Sequence, residues 1–352
     1  MMLKLLSFFI IVVGMILISF MGLADENSLI TLGTEKIIRN NRIWFGDQVL
    51  WRVLKKKNGN ALLISNSILG LGIFNEDGKS NEWEGSLAQN WCFLYYINWP
   101  EGFEKEAILP TSIAEKNEKR EKGISYTYKG GHDKKYYYGA ASLEDEFFFF
   151  LSGQEADELF ESDDDRMITN ATKNTWWLRS PSKQAKKRDG NQTGVIDKDG
   201  WVIDGITYLK HGIRPAFNLD LSTVLFTHEL QYSEVSYRLT MMDRELKIEL
   251  QDGKKAYRNG NLVTIPYNVS GPYALDDTKV YALVTDNNRG SKATVNQYTE
   301  LTHDSETNTG TFILDSGING IWGKDFHIYL LAVNENAGWR TDFASAPIEI
   351  KP

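Results

Sequence analysis

Few residues in this chain have the type and spacing that chemistry needs. Asp197-Lys198-Asp199-Gly200 sets two carboxylates at the alternate spacing with which calcium loops begin. The next position in such a series is a third oxygen ligand, but here it is Trp201, and no Glu closes the loop. The tetrad reads as a hairpin turn instead, with Asp and Gly supplying the side-chain hydrogen bond and the positive φ that tight turns use. Trp201 directly follows that polar turn, so it is the aromatic residue expected at the surface. Burying about 100 Å² of it against a ligand would contribute roughly 2.5 kcal/mol at ~25 cal/mol per Å². Asp197, Asp199 and Trp201 form the first candidate ligand-binding group. Arg179, in Trp176-Trp177-Leu178-Arg179-Ser180-Pro181, and Arg214, in Gly212-Ile213-Arg214-Pro215-Ala216-Phe217, each sit in strand register opposite apolar neighbours. A guanidinium there either bridges carbonyls and carboxylates between strands or faces a ligand. Both readings stand, and Trp177, Arg179 and Arg214 complete the candidate set.

Other chemistries find no foothold in the sequence. Cys92 is the single cysteine and has apolar neighbours, so it reads as a core residue, and neither an intramolecular disulfide nor a multi-cysteine zinc site can form. His132, His211, His228, His303 and His327 are scattered, with no H-E-x-x-H. There is no G-x-S-x-G elbow and no glycine loop ending in Lys-Ser/Thr. Acidic residues are plentiful, yet no pair stands out as the two facing carboxylates of a glycoside hydrolase. The expectation is a non-enzyme without a cofactor; calcium is the one ion that the Asp197/Asp199 spacing brings to mind, and the motif does not support it. The 352 residues carry 39 Lys and Arg against 47 Asp and Glu, a net charge of −8 without any basic run to track a phosphate backbone, so nucleic acid is not an expected partner.

The positioning elements follow from pattern. Lys4 precedes an uncharged apolar run from Leu5 to Ala24 with Gly22-Leu23-Ala24 at its end, which reads as a secretory signal peptide cleaved before Asp25. The rival is an uncleaved anchor, since ~20 helical residues span roughly 30 Å of hydrocarbon; only through this segment would the chain touch a membrane. Val49–Leu54 and Ala61–Ile64 flank Asn58-Gly59, a hairpin. Ser86/Gln89 and Ser152/Glu155 stand at capping-box spacing ahead of apolar residues, predicting two short helices. The stretch from Thr111 to Glu146, rich in Lys, Glu, Gly and Tyr, reads as a surface excursion. Strand alternation returns at Trp176 and runs to Leu221. The first domain, residues 30–225, is therefore expected to be α+β. Some seven short strands then recur within 235–352, the number expected of an immunoglobulin-like sandwich, and the nearly continuous apolar run Phe326–Val333 suits a central strand.

Trp176–Pro181 followed by Gly212–Phe217, with Ile43-Trp44-Phe45-Gly46, Ala61–Ser65 and Phe150-Leu151-Ser152, resembles a domain of unknown function common in exported proteins of Gram-positive bacteria, over about residues 30–225. The resemblance implies a fold similar to C-type lectins, whose loop-rich face recognises partners. This chain departs from the calcium-dependent members, having neither Glu-Pro-Asn nor Trp-Asn-Asp. The tail resembles the accessory β-sandwich that often follows such domains. Together these imply a secreted or cell-surface protein that binds a surface glycan or protein without catalysis. The alternative is an extracellular hydrolase acting on cell-wall or host polysaccharide.

Overall fold

The computed structural model describes residues 30–77, 79–114, 124–126, 136–139, 141–168, 174–182, 191–231, 234–271, 278–336, 338 and 340–352. The signal segment expected at 1–24 lies outside them. Among the described residues no helix is long and apolar enough to cross a membrane. The described residues divide into two compact units, one within 37–42 and 50–222, the other within 30–36, 43–49 and 223–352.

In the first unit, Val49–Lys57 and Asn60–Ser65 form the expected hairpin, with Asn58 and Gly59 both at positive φ as a two-residue primed turn requires. Asn60–Ser65 pairs next with Ala216–Asp220, and that strand with Ile108–Leu109. A second sheet runs in the order Val202–Ile206, Gln192–Ile196, Trp176–Pro181, His211–Ile213, Gly70–Gly72. Trp176–Pro181 has a strand on either side and is buried along its whole length. The helices are α1 (Leu87–Ile97), α2 (Phe103–Glu106), α3 (Gly153–Leu159) and α4 (Asp163–Arg166).

This overturns the α+β, C-type-lectin-like expectation for the first domain. Both caps do start helices, since Ser86 Oγ accepts from Gln89 N and Ser152 Oγ from Glu155 N. Among the described residues of this unit the longest helix, however, has only eleven residues, and strands outnumber helices. Even the excursion is strand at its ends, with Thr111–Ile113 pairing Leu143–Glu146. A capping signal fixes where a helix begins and says nothing of how much chain it takes up; the unit is mainly β, in several sheets.

In the second unit, Phe326–Asn334 is central: Thr278–Asp286 pairs along one edge and Asp342–Ala344 and Ile348–Ile350 along the other. Alternation explains its continuous apolar run, because both faces are covered. Val280, Ala282, Val284, Ile328 and Leu330 pack with Val263, Ile265 and Phe312 of a separate sheet, while Tyr281, Leu283, Leu331 and Val333 pack with Ile30 and Phe226. The unit also takes in strands expected in the first domain. Ile30–Leu32 pairs with Val224–Gln231, and Ile43 and Trp44 pair in parallel with Tyr237 and Arg238.

Candidate functional site

The candidates on Trp176–Pro181 and Gly212–Phe217 lie in the interior. Trp177 is fully buried, its indole Nε1 donating to Gly72 O at 2.8 Å and its ring edge-on to Phe74 and His211. Arg179 is likewise 0% exposed, and its Nε donates to Ala141 O at 2.9 Å, its Nη1 to Phe150 O at 2.7 Å and to Glu155 Oε2. The same Glu155 oxygen accepts from Ser152 N in the capping box, so the arginine locks the start of α3 to the sheet. Arg214 donates through Nε to Ser65 O at 2.8 Å and lies over the Trp176 ring at 4.8 Å. Burial first, then the nearby Arg52 charge, lowers its pKa to about 9. These three residues are buried and hold the scaffold together through the bonds just described. The two motifs report the fold.

The turn group is also accounted for by the fold. Asp197 Oδ1 accepts from Asp199 N at 2.9 Å and Trp201 N at 2.8 Å, closing the predicted turn. Gly200, at φ 78°, is buried against α4: a Cβ there would collide with Asp163 O, and Arg166 Nε donates to Gly200 O at 2.8 Å. Asp199 pairs with Lys198, and Trp201 is half-buried. Among the described residues no group of three or more acidic, His or Cys side chains could hold a metal. Asp197→Ala should destabilise the protein by about 1–2 kcal/mol, the worth of two side-chain-to-backbone hydrogen bonds. Chemical denaturation measures this, and an unchanged midpoint would show that the turn closes without that carboxylate.

A surface the sequence reading passed over lies on α1. Its inward face carries Ala88 and Cys92, and Tyr95 and Tyr96 pack against Phe148 and Phe147. Burial pushes the Cys92 thiol far up, with the Glu146 charge adding to it, so the thiol is inert. Its outward face exposes Leu87 (41%), Phe93 (56%), Leu94 (46%) and Ile97 (49%), which fall on one side at helical spacing. The platform is rigid. Ser86 caps the N-terminus, Asn98 Nδ2 donates to Leu94 O at 2.9 Å, and the buried Lys105 ammonium donates to Ile97 O at 3.3 Å, where the helix dipole favours a cation. Gln89 Nε2 and Trp83 Nε1 both donate to Glu146 Oε1, tying the helix to its neighbouring strand. Burial raises the Glu146 pKa from its ordinary value in spite of these bonds and of the Arg179 charge. One sequence signal was available: Leu87–Ile97 holds only Gln89 and Asn90 as strongly polar residues besides its tyrosines, more apolar surface than one core face can take in.

Residues 58–221 match the family model described as a domain of unknown function (DUF6273). No curated protein and no solved structure matches the chain. The match covers the scaffold motifs and α1 together.

Proposed function

We propose that this is an exported, non-catalytic recognition protein, secreted or held at the cell surface, and that the unit containing residues 50–222 binds a protein partner through the outer face of α1. The observation that carries this reading is the exposure of Leu87, Phe93, Leu94 and Ile97 on a helix capped at both ends. A contiguous apolar face marks an interaction site when the element bearing it is otherwise well packed. The chemistry favours protein over glycan, because a sugar's hydroxyls need hydrogen-bonding partners and this face offers only Asn90 among aliphatic and aromatic groups. Residues at such spacing fit an apolar groove on another protein. The hydrolase alternative needs two facing carboxyls; the groups acting on the one raised glutamate at this surface, Glu146, are Gln89, Trp83 and Arg179.

The test is Phe93→Lys/Ile97→Lys, assayed on arrays of surface proteins and of glycans. Both positions are exposed, so the melting temperature should stay close to that of the parent. Each side chain half-buried by a partner is worth about 1 kcal/mol, so affinity for a protein hit should fall roughly 10- to 100-fold once desolvated charge replaces it. Binding confined to glycans, or protein hits untouched by the double variant, would overturn the assignment.

A further inference from the structure

A second surface, on the other unit and independent of α1, has a different chemistry. Between the strands Thr309–Ile313 and Phe326–Asn334 the chain forms an open cleft of about 560 Å³, within the roughly 300–1,000 Å³ of small-ligand sites. Its polar lining residues are Asp315, Asp325, Asn296, Asn319 and Ser316, and its apolar ones are Ile318 and the buried Phe326.

We propose that this cleft binds a neutral polyhydroxylated ligand, a saccharide without acidic groups. Carboxamides and a hydroxyl both donate and accept, and carboxylates accept from the hydroxyls that a sugar presents at close spacing. No Lys, Arg or His is among the lining residues; the nearby cation is Arg258, whose guanidinium lies over the Phe326 ring at 5.8 Å, so Asp315 and Asp325 leave the opening itself negative, which disfavours phosphates and uronates. The face of α1 has the opposite character, with four large apolar groups around a single amide.

The cleft is built before any ligand arrives. Gln297 spans its base, accepting from Asp315 N at 3.0 Å through Oε1 and donating to Ile313 O at 2.8 Å through Nε2. Ile318 N closes a turn on Asp315 O at 2.9 Å. Asp325 Oδ2 accepts from Ile321 N at 2.7 Å, and the approach of that side chain needs Gly320, where φ is 119° and a Cβ would stand 2.6 Å from Asp325 Cβ. A loop braced at these points loses little conformational entropy on binding. Asp315 and Asn319 then supply carboxylate and amide side chains without being part of the bracing.

The experiment is an amide-resolved NMR titration of the full chain with cellotetraose, chitotetraose and maltotetraose, each to about 10 mM, and with inorganic phosphate and tetragalacturonate as anionic counterparts. The expected result is saturable shifts at residues 315–319 and 325 with at least one neutral tetrasaccharide and none with the two anions. Asp315→Ala/Asn319→Ala, which leaves Gln297, Gly320 and Asp325 in place, should weaken that binding roughly tenfold or more with the rest of the spectrum unchanged. Shifts with the anions, no shifts with any neutral probe, or shifts that survive the double variant would each overturn the proposal.

Discussion

Arg179→Ala is expected to lower the unfolding free energy by about 3–5 kcal/mol, the range for removing one partner of a buried charge pair. The side chain is fully buried, and its loss takes a donor from Phe150 O and from Ala141 O and leaves the Glu155 carboxylate without its guanidinium. An orphaned buried acceptor costs about 1–3 kcal/mol by itself. The damage should be local at first: Glu155 also closes the cap of α3, and Ser180 Oγ accepts from Gly153 N, so the helix start and the strand come apart together. Arg179→Lys keeps the charge and loses the fork that reaches Ala141 and Phe150 at once, so it should recover only part of the loss. Urea denaturation of both variants decides the matter. An alanine variant within about 1 kcal/mol of the parent would remove the structural role and return Arg179 to the list of ligand contacts.

What could be read from the sequence was local. Asn58-Gly59 specifies its turn because two adjacent residues tolerate positive φ, and Ser86 and Ser152 specify helix starts because a hydroxyl is within reach of an amide three residues on. The solid apolar runs Val280–Val284 and Phe326–Val333 show on inspection that both faces are covered. Pairings between distant segments leave no such mark. Ile43 lies beside Tyr237 across nearly two hundred residues of chain, so residues 43–49 belong to a unit whose other members no local pattern connects to them.

The candidate residues posed a different question. Trp177, Arg179 and Arg214 belong to motifs distinctive enough to be recognised, and the sequence left open whether the arginines bridge strands or face a ligand. The structure accounts for that distinctiveness by packing: Trp176–Pro181 is buried on both faces, so the Arg179 guanidinium must find carbonyls and a carboxylate, and the buried Arg214 finds a carbonyl and an aromatic ring. Trp201 followed a polar turn, but Gly200 is pinned to α4 by Arg166, and the ring is drawn half inside. The exposed side chains of α1 carry no mark of their exposure, because their type is that of core residues. Eleven helical residues with two strongly polar members besides tyrosines have to leave some apolar surface outside.

Acid should weaken the second unit through His228. The imidazole is buried on Val224–Gln231, with Arg238 directly opposite in register, Thr240 Oγ1 at 3.1 Å from Nε2, and Phe226 and Tyr298 rings alongside. The facing charges are Arg238 and its ion-pair partner Asp342. Burial, and after it the Arg238 charge, lowers the His228 pKa to about 3. An unfolded histidine titrates near pH 6.5, so above that pH the imidazole is neutral in both states and its contribution is fully present. As pH falls below about 6.5 the unfolded chain takes up a proton that the folded one refuses, and stability drops by about 1.4 kcal/mol per pH unit until the folded pKa is reached. Between about pH 6.5 and 4.5 the loss from this one residue should be roughly 2–3 kcal/mol, approaching 4–5 kcal/mol at the limit. Carboxylates titrate in the same window, so the measurement is a difference: His228→Gln retains an amide for Thr240 and cannot be protonated, and its stability should decline less steeply than the parent's by that amount. Equal slopes in urea titrations of the two proteins, or an imidazole proton signal that titrates between about pH 5 and 8 in the folded state, would mean that His228 is charged where it sits and that Asp342 compensates it through Arg238.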